Sequence, residues 1–116
     1  MVIRQEQMNE LQRHAERMFQ DRLMAHLREM YPERLEDKDD DELREFCQKG
    51  IARAGDLGVR TEYDVARFLE YRVFLGESFD QARGPGWLMA ILHGEGSGTY
   101  KMDRLDECFR LRAGSR

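Results

Sequence analysis

Proline and cysteine are scarce in this chain of 116 residues, which has two of each and a single tryptophan. Cys47 and Cys108 lie far apart at apolar positions of predicted helices, and cysteine behaves as a small hydrophobic residue. We therefore predict two buried free thiols. A disulfide between them would instead require an oxidising compartment.

Long apolar runs are also absent. No stretch approaches the roughly 20 residues needed to cross a bilayer, and the opening is too polar for a signal peptide, since it reads MVIRQEQMNE. We therefore expect a cytoplasmic protein without membrane association.

Lysine is scarce as well, with three Lys against 16 Arg. The net charge is -4, and the 19 basic residues are scattered among 23 acidic ones. A nucleic-acid-binding protein usually concentrates its basic residues on one face, so we expect no nucleic-acid partner. The excess of arginine favours contacts with carboxylates.

The sequence has no pattern typical of a metal, nucleotide or catalytic site. His14, His26 and His93 have no ligand partners at HExxH or CxxC spacing, and His93 is best explained as the end of a helix. The glycine-rich segment 94–98 follows a helix rather than a strand and lacks the Gly-Lys-Ser/Thr of a phosphate loop. We therefore predict a protein that is not an enzyme and has no metal or cofactor.

The most regular stretch is 4–30, which contains neither Gly nor Pro. Its apolar residues recur at steps of three and four, which predicts one face of a long α-helix. We expect this helix to support the packing of the others and to end at Tyr31-Pro32. The residues of the face are Met8, Leu11, Ala15, Met18, Phe19, Leu23, Leu27 and Met30.

The acidic run 37–42 resembles a cation site but lacks the spacing, glycine and distal Glu of a calcium loop. It is better explained as a helix start, with Asp39 as N-cap and Glu42 three residues later. The second helix then extends over 40–54. Gly50 lies inside it, which predicts close approach of another helix.

A third helix is predicted from Thr61, its N-cap, to Gly76. Its apolar surface covers much of its circumference, which is typical of a central helix in a bundle. Val65, Phe68, Leu69 and Arg72 share one face, and Tyr71, Phe74 and Leu75 widen it.

The last part of the chain is rich in glycine. A turn over 77–83 is predicted with Phe79 as its anchor, and Pro85 suits the first turn of a short helix. The segment 87–92 carries no charge, so we expect it to be buried by the fold or by a partner. A last helix is predicted over 99–112, and the tail 113–116 should fray. Its inward side chains are predicted to be Tyr100, Met102, Leu105, Cys108 and Phe109, with Leu111 as a further candidate.

These elements together predict an all-α fold, a single-domain bundle of about five helices over residues 1–116, organised on the long N-terminal helix. Several short segments stand out along the chain: MVIRQEQM (1–8), MAHLR (24–28), YP (31–32), GIARA (50–54), YDVARFL (63–69), FLG (74–76) and FD (79–80). They resemble segments of small helical bacterial proteins encoded beside type VI secretion spike and effector genes. The resemblance covers roughly residues 1–87, and the glycine-rich end departs from it. It implies an adaptor or chaperone for a secreted effector, or an immunity protein, and it brings no catalytic residues.

The functional hypothesis is therefore a protein-binding module. Trp87, in a rigid Gly-Pro-Gly turn, either plugs the core or serves as an aromatic anchor for a partner. The alternative is an inhibitor that occludes a toxin's active site, with the acidic run 37–42 facing a basic cleft. The predicted partner-binding residues are Trp87, Leu88, Ile91, Phe79 and Tyr71; the oligomeric state is left open.

Overall fold

The computed structural model describes residues 5–81 and 85–114, with side chains up to 110. Every regular element within these residues is helical, which confirms the all-α prediction. The six helices are α1 (Gln5–Met30), α2 (Pro32–Leu35), α3 (Asp40–Asp56), α4 (Glu62–Leu75), α5 (Gly86–Leu92) and α6 (Gly98–Gly114).

The chain divides into two compact units, residues 1–48 and 49–116, and the boundary lies within α3. Unit 1 contains α1, α2 and the start of α3. Unit 2 contains the rest of α3 and the helices α4 to α6.

The core of unit 1 lies along the second half of α1. Leu23 and Leu27 are buried there, as are Leu35 of α2 and Leu43 of α3. Arg44 of α3 fixes the pairing of the two long helices, since its guanidinium donates to Gln20 and to Asp21. The hydrogen bond from Arg44 lowers the pKa of Asp21.

The prediction that the whole apolar face of α1 packs against other helices is wrong for its first half. Met8, Leu11 and Met18 are 48%, 60% and 47% exposed, and Met30 is exposed as well. The reason is length. The 26 residues of α1 span about 39 Å, whereas the other helical residues of unit 1, at 32–35 and 40–48, provide only about 20 Å of helix.

The acidic run begins α3 as predicted. The backbone N–H of Glu42 donates to the Asp39 carboxylate over 2.8 Å, and the Asp39 N–H donates back to Glu42 over 3.4 Å. This reciprocal pair is a capping box. Asp40 also accepts from Arg28 of α1, so the run is explained by helix capping and pairing. The helix continues two residues beyond the predicted end, to Asp56.

The centre of unit 2 is α4, which buries five residues: Asp64, Val65, Phe68, Leu69 and Arg72. Thr61 caps its first turn through the Asp64 N–H, and Gly76, with φ of 100°, ends it. Both ends were predicted. Gly50 of α3 allows close approach, because a Cβ on it would overlap the fully buried Leu69 side chain.

The last two helices complete unit 2. Leu88 and Leu92 of α5 are buried, as are Met102 and Leu105 of α6. Tyr100 was predicted to face inward, but it is 53% exposed, because it precedes the buried Met102 by two residues and so lies about 200° around the helix from it.

The remaining local predictions have mixed outcomes. Lys101, which follows Tyr100, is buried, and its ammonium donates to the Leu57 carbonyl over 2.9 Å. Both cysteines are free thiols, with Cys47 buried and Cys108 half-buried. Pro85 is the N-cap of α5 rather than its first helical residue.

Candidate functional site

A cleft opens on the surface of unit 2, where α4 ends, α5 begins and α6 runs past them. We call it the apolar cleft. Its volume is about 200 Å³, and most of its exposed lining is apolar. The lining side chains are Leu75, Phe79, Pro85, Trp87, Leu88 and Phe109.

Different segments of the chain supply the lining side chains, and the local sequence explains the position of each. Leu75 is the last residue of α4, and the chain turns away at Gly76, which leaves this leucine 43% exposed at the rim. Pro85 caps α5 and directs Trp87 and Leu88 into its first turn. Phe79, on the turn after α4, is buried beneath them.

An aromatic cluster makes one wall rigid. The rings of Trp87 and Phe109 meet edge to face with centroids 5.3 Å apart, and the ring of Tyr71 stacks on Phe109 with centroids 5.1 Å apart. Such pairs add about 0.5–1.5 kcal/mol beyond the burial of area. The Tyr71 hydroxyl donates to Asp106, which links the cluster to the polar contacts described below.

Three of the five predicted partner-binding residues line the apolar cleft: Trp87, Leu88 and Phe79. Tyr71 lies behind the wall, on Phe109, and Ile91 is half-buried outside the lining. Trp87 is itself half-buried. It therefore supports the fold through Phe109 and lines the opening at the same time.

The sequence reasoning missed Leu75, Pro85 and Phe109 as cleft residues. Leu75 and Phe109 were recognised as apolar helix positions, but they are 34 residues apart and nothing in the sequence pairs them. Pro85 was seen only as a helix start. The uncharged run beginning at Trp87 was the one signal that pointed to this place.

The size of the apolar cleft indicates what it can accept. Pockets for drug-sized molecules or cofactors measure about 300–1,000 Å³, so 200 Å³ is small for them. An engineered cavity of about 150 Å³ holds one benzene molecule. The apolar cleft therefore matches one large apolar side chain.

A second, polar cleft of about 660 Å³ lies elsewhere on unit 2, lined by Arg53, Asp80, Gln81, Met89 and His93. Arg53 of α3 donates to the Asp80 Oδ2 atom through Nε at 2.8 Å and Nη2 at 2.6 Å. His93 lies 2.7 Å from the Asp80 carbonyl oxygen through Nε2. A carbonyl only accepts, so that nitrogen carries the proton.

Asp80 is fully buried, and its Oδ1 atom has no hydrogen-bond partner. The Oδ2 atom of Asp80 links the turn after α4 to Arg53 of α3. The Asp80 carbonyl links the same turn to His93 at the end of α5. The principal role of this carboxylate is therefore to hold the turn that carries the neighbouring Phe79. His93 ends α5 as predicted, since its N–H donates to Met89.

Polar contacts also join α4 to α6. The guanidinium of Arg67 pairs with Asp64 at 2.6 Å, Asp106 at 2.7 Å and Asp103 at 2.9 Å. Burial raises the pKa of Asp64, but hydrogen bonds from Thr99, Arg67 and Thr61 outweigh it and bring the pKa below its usual value.

Two further pKa values are shifted in this network. Burial lowers the pKa of Arg67, but its hydrogen bonds to the three carboxylates outweigh this and raise it above its ordinary value. Burial and the hydrogen bond to Asp106 raise the pKa of Tyr71 far above its ordinary value. The network therefore fixes α6, and with it Phe109, by charge-assisted contacts.

Two searches of the described residues bear on other functions. Within 5–81 and 85–114, no group of three or more His, Cys, Asp or Glu side chains is arranged to hold a metal ion. No helix in that part of the chain is both long and apolar enough to span a membrane.

Comparison of the chain with protein-family models, curated proteins and solved structures gave no match in any of the three.

Proposed function

We propose that this chain is a non-enzymatic protein-binding module that holds an apolar side chain of a partner protein in the apolar cleft. The observation that carries the proposal is an opening of about 200 Å³ with three aromatic side chains in its lining. Aromatic anchors in well-packed pockets dominate the energy of protein interfaces.

The surroundings of the apolar cleft support a protein partner. Phe74, next to Leu75 in α4, is 50% exposed, so the apolar surface extends beyond the opening. A partner segment that inserts one side chain would also cover this surface. In this account the partner is a secreted effector, and the chain serves as its adaptor or chaperone, as the resemblance to proteins encoded beside type VI secretion genes implies.

The test is affinity capture from the native host with two matched variants. Leu75→Asp places a charge at the rim of the apolar cleft. Tyr63→Asp places the same charge on the first turn of the same helix, at a side chain that is 72% exposed. Neither change removes a fully buried residue, so both proteins should fold.

We expect Leu75→Asp to lose the partner and Tyr63→Asp to retain it. Truncation or disruption of an interface anchor typically costs about 2 kcal/mol or more, which is roughly a 30-fold loss of affinity. A wild-type protein that emerges alone, or a partner held equally by both variants, contradicts the proposal.

The second candidate is an immunity protein that occludes a toxin. What favours it is the exposure of all five acidic residues of the run 37–42. It predicts association that weakens steeply with salt and loss of toxin activity in the complex. Binding that survives high salt and leaves the toxin active excludes this function and favours the adaptor.

A further inference from the structure

The first half of α1 carries an exposed apolar stripe far from the apolar cleft in sequence. We call it the α1 seam and define it as Met8, Leu11, Ala15 and Met18. All four side chains are exposed, and they follow each other at intervals of three, four and three residues. These are the a and d positions of two heptads, the spacing by which one helix packs along another.

Residues 5–18 precede the first buried residue of α1, Leu23. A helix of this length is marginal in water without tertiary contacts. Large apolar side chains grouped on an exposed face mark interaction sites. The α1 seam is therefore a surface that requires a cover.

We propose that the cover is the α1 seam of a second copy of this chain, in antiparallel orientation. The flanking e and g positions around the two heptads carry one acidic residue, Asp21, and no lysine or arginine. The Asp21 carboxylate accepts from Arg44, and in the antiparallel pair it lies opposite Gln5 of the partner subunit, so two identical seams meet without like-charge repulsion. A partner selected by opposite charge would need several charged flanks. The flanking residues are Gln5, Gln7, Gln12, His14, Phe19 and Asp21.

The sizes of the seam residues set the orientation. In an antiparallel pair, Leu11 packs against Ala15 of the partner subunit and Met8 against Met18 of the partner subunit, so each Ala15 faces a large side chain. A parallel pair places Ala15 against Ala15 of the partner subunit and leaves a void, which close-packed interfaces avoid. Opposed helix dipoles favour the antiparallel pair as well.

Four side chains from each copy are far fewer than the 20–30 residues a side of a standard interface, so the dimer is weak. Sedimentation equilibrium over a range of protein concentrations up to about 1 mM covers the affinities expected of such contacts. We expect the average mass of the wild type to rise toward that of a dimer. A mass that stays monomeric over the whole range overturns the proposal.

The variant Leu11→Asp tests the surface. It should raise the dissociation constant at least about tenfold, whereas Met30→Asp, at a 53% exposed position of the same helix outside the α1 seam, should not. Circular dichroism checks that each variant keeps its helix content. Equal association of wild type and Leu11→Asp, or equal loss in both variants, overturns the proposal.

Oxidative cross-linking tests the orientation. A mixture of Leu11→Cys and Ala15→Cys proteins should cross-link faster than either protein alone, with the wild type as the background for Cys47 and Cys108. Cross-linking of Ala15→Cys alone at the rate of the mixture overturns the antiparallel arrangement.

Discussion

Gly50→Ala should destabilise the protein, although alanine is the better helix former. The new methyl group would overlap the Cδ2 atom of Leu69 and lie 3.2 Å from the Cδ atom of Arg72. Leu69 is fully buried, so its side chain has no free space to move into.

The magnitude follows from two opposing terms. Overpacking a buried contact costs about 1–3 kcal/mol, and replacing glycine by alanine inside a helix gains about 0.5–1 kcal/mol. Subtracting the two ranges gives a net loss of about 0–2.5 kcal/mol, and the severe overlap with Leu69 places Gly50→Ala in the upper half of this range. For a chain of this size, each kcal/mol lowers the melting temperature by roughly 3–6 °C.

The same helix offers a matched control. Gly55 also lies in α3, but a Cβ built on it meets no atom within 4 Å. Gly55→Ala should therefore be neutral or stabilising by up to about 1 kcal/mol. The assay is urea unfolding of the wild type and both variants, followed by circular dichroism.

A further variant isolates the contact. Shortening the neighbour by Leu69→Val should reduce the penalty of Gly50→Ala, because the two changes act on one site and are not additive. The packing argument is refuted if Gly50→Ala is as stable as Gly55→Ala, or if the Leu69→Val background leaves its penalty unchanged.

Three other predictions concern the polar contacts of unit 2. Asp80→Ala should cost about 1–3 kcal/mol in urea unfolding, less than a fully buried pair would, because Arg53 is partly exposed and can hydrate; an unchanged midpoint would show that the ion pair is dispensable. Burial raises the pKa of Asp64, but hydrogen bonds hold it below its usual value in the folded protein. The carboxylate therefore contributes fully to the free energy of unfolding above the unfolded pKa of about 3.9, and this contribution is lost as the pH falls through the folded pKa. The free energy of unfolding of Asp64→Asn should therefore fall less steeply below about pH 4 than that of the wild type, and an unchanged dependence on pH would disprove this. Because the pKa of Tyr71 is raised far above its ordinary value, Tyr71→Phe should leave the absorbance change measured around pH 10 as large as in the wild type; a smaller change would contradict the buried hydrogen bond to Asp106.

The helix ends of α4 could be read from the sequence because they depend on neighbours within a few residues. Thr61 and Asp64 are three residues apart, and Gly76 adopts a positive φ that favours glycine. The same holds for the capping box at Asp39 and Glu42. Local hydrogen bonds and backbone preferences are enough for such predictions.

Burial along α1 could not be predicted in the same way. The helical period shows which side chains share a face, but whether that face is covered depends on the lengths of other helices. Leu23 and Leu27 are covered, whereas Met8 and Leu11 of the same face are exposed.

The buried carboxylates were missed for a related reason. Asp64 has the position of a capping residue and Asp80 lies in a polar turn, and neither position indicates burial. Their partners Thr99 and Arg53 are 35 and 27 residues away. Sequence spacing gives no signal for pairs at such separations.

The central claim, that the apolar cleft accepts one apolar side chain, can be measured directly because Trp87 is the chain's single tryptophan. Its indole N–H gives a unique NMR signal inside the lining. Titration with toluene, the side chain of phenylalanine, should shift this signal and those of Leu75 and Leu88 saturably, and Leu75→Asp should weaken the response. A Trp87 signal that does not move, or shifts spread evenly over the protein, would contradict the claim.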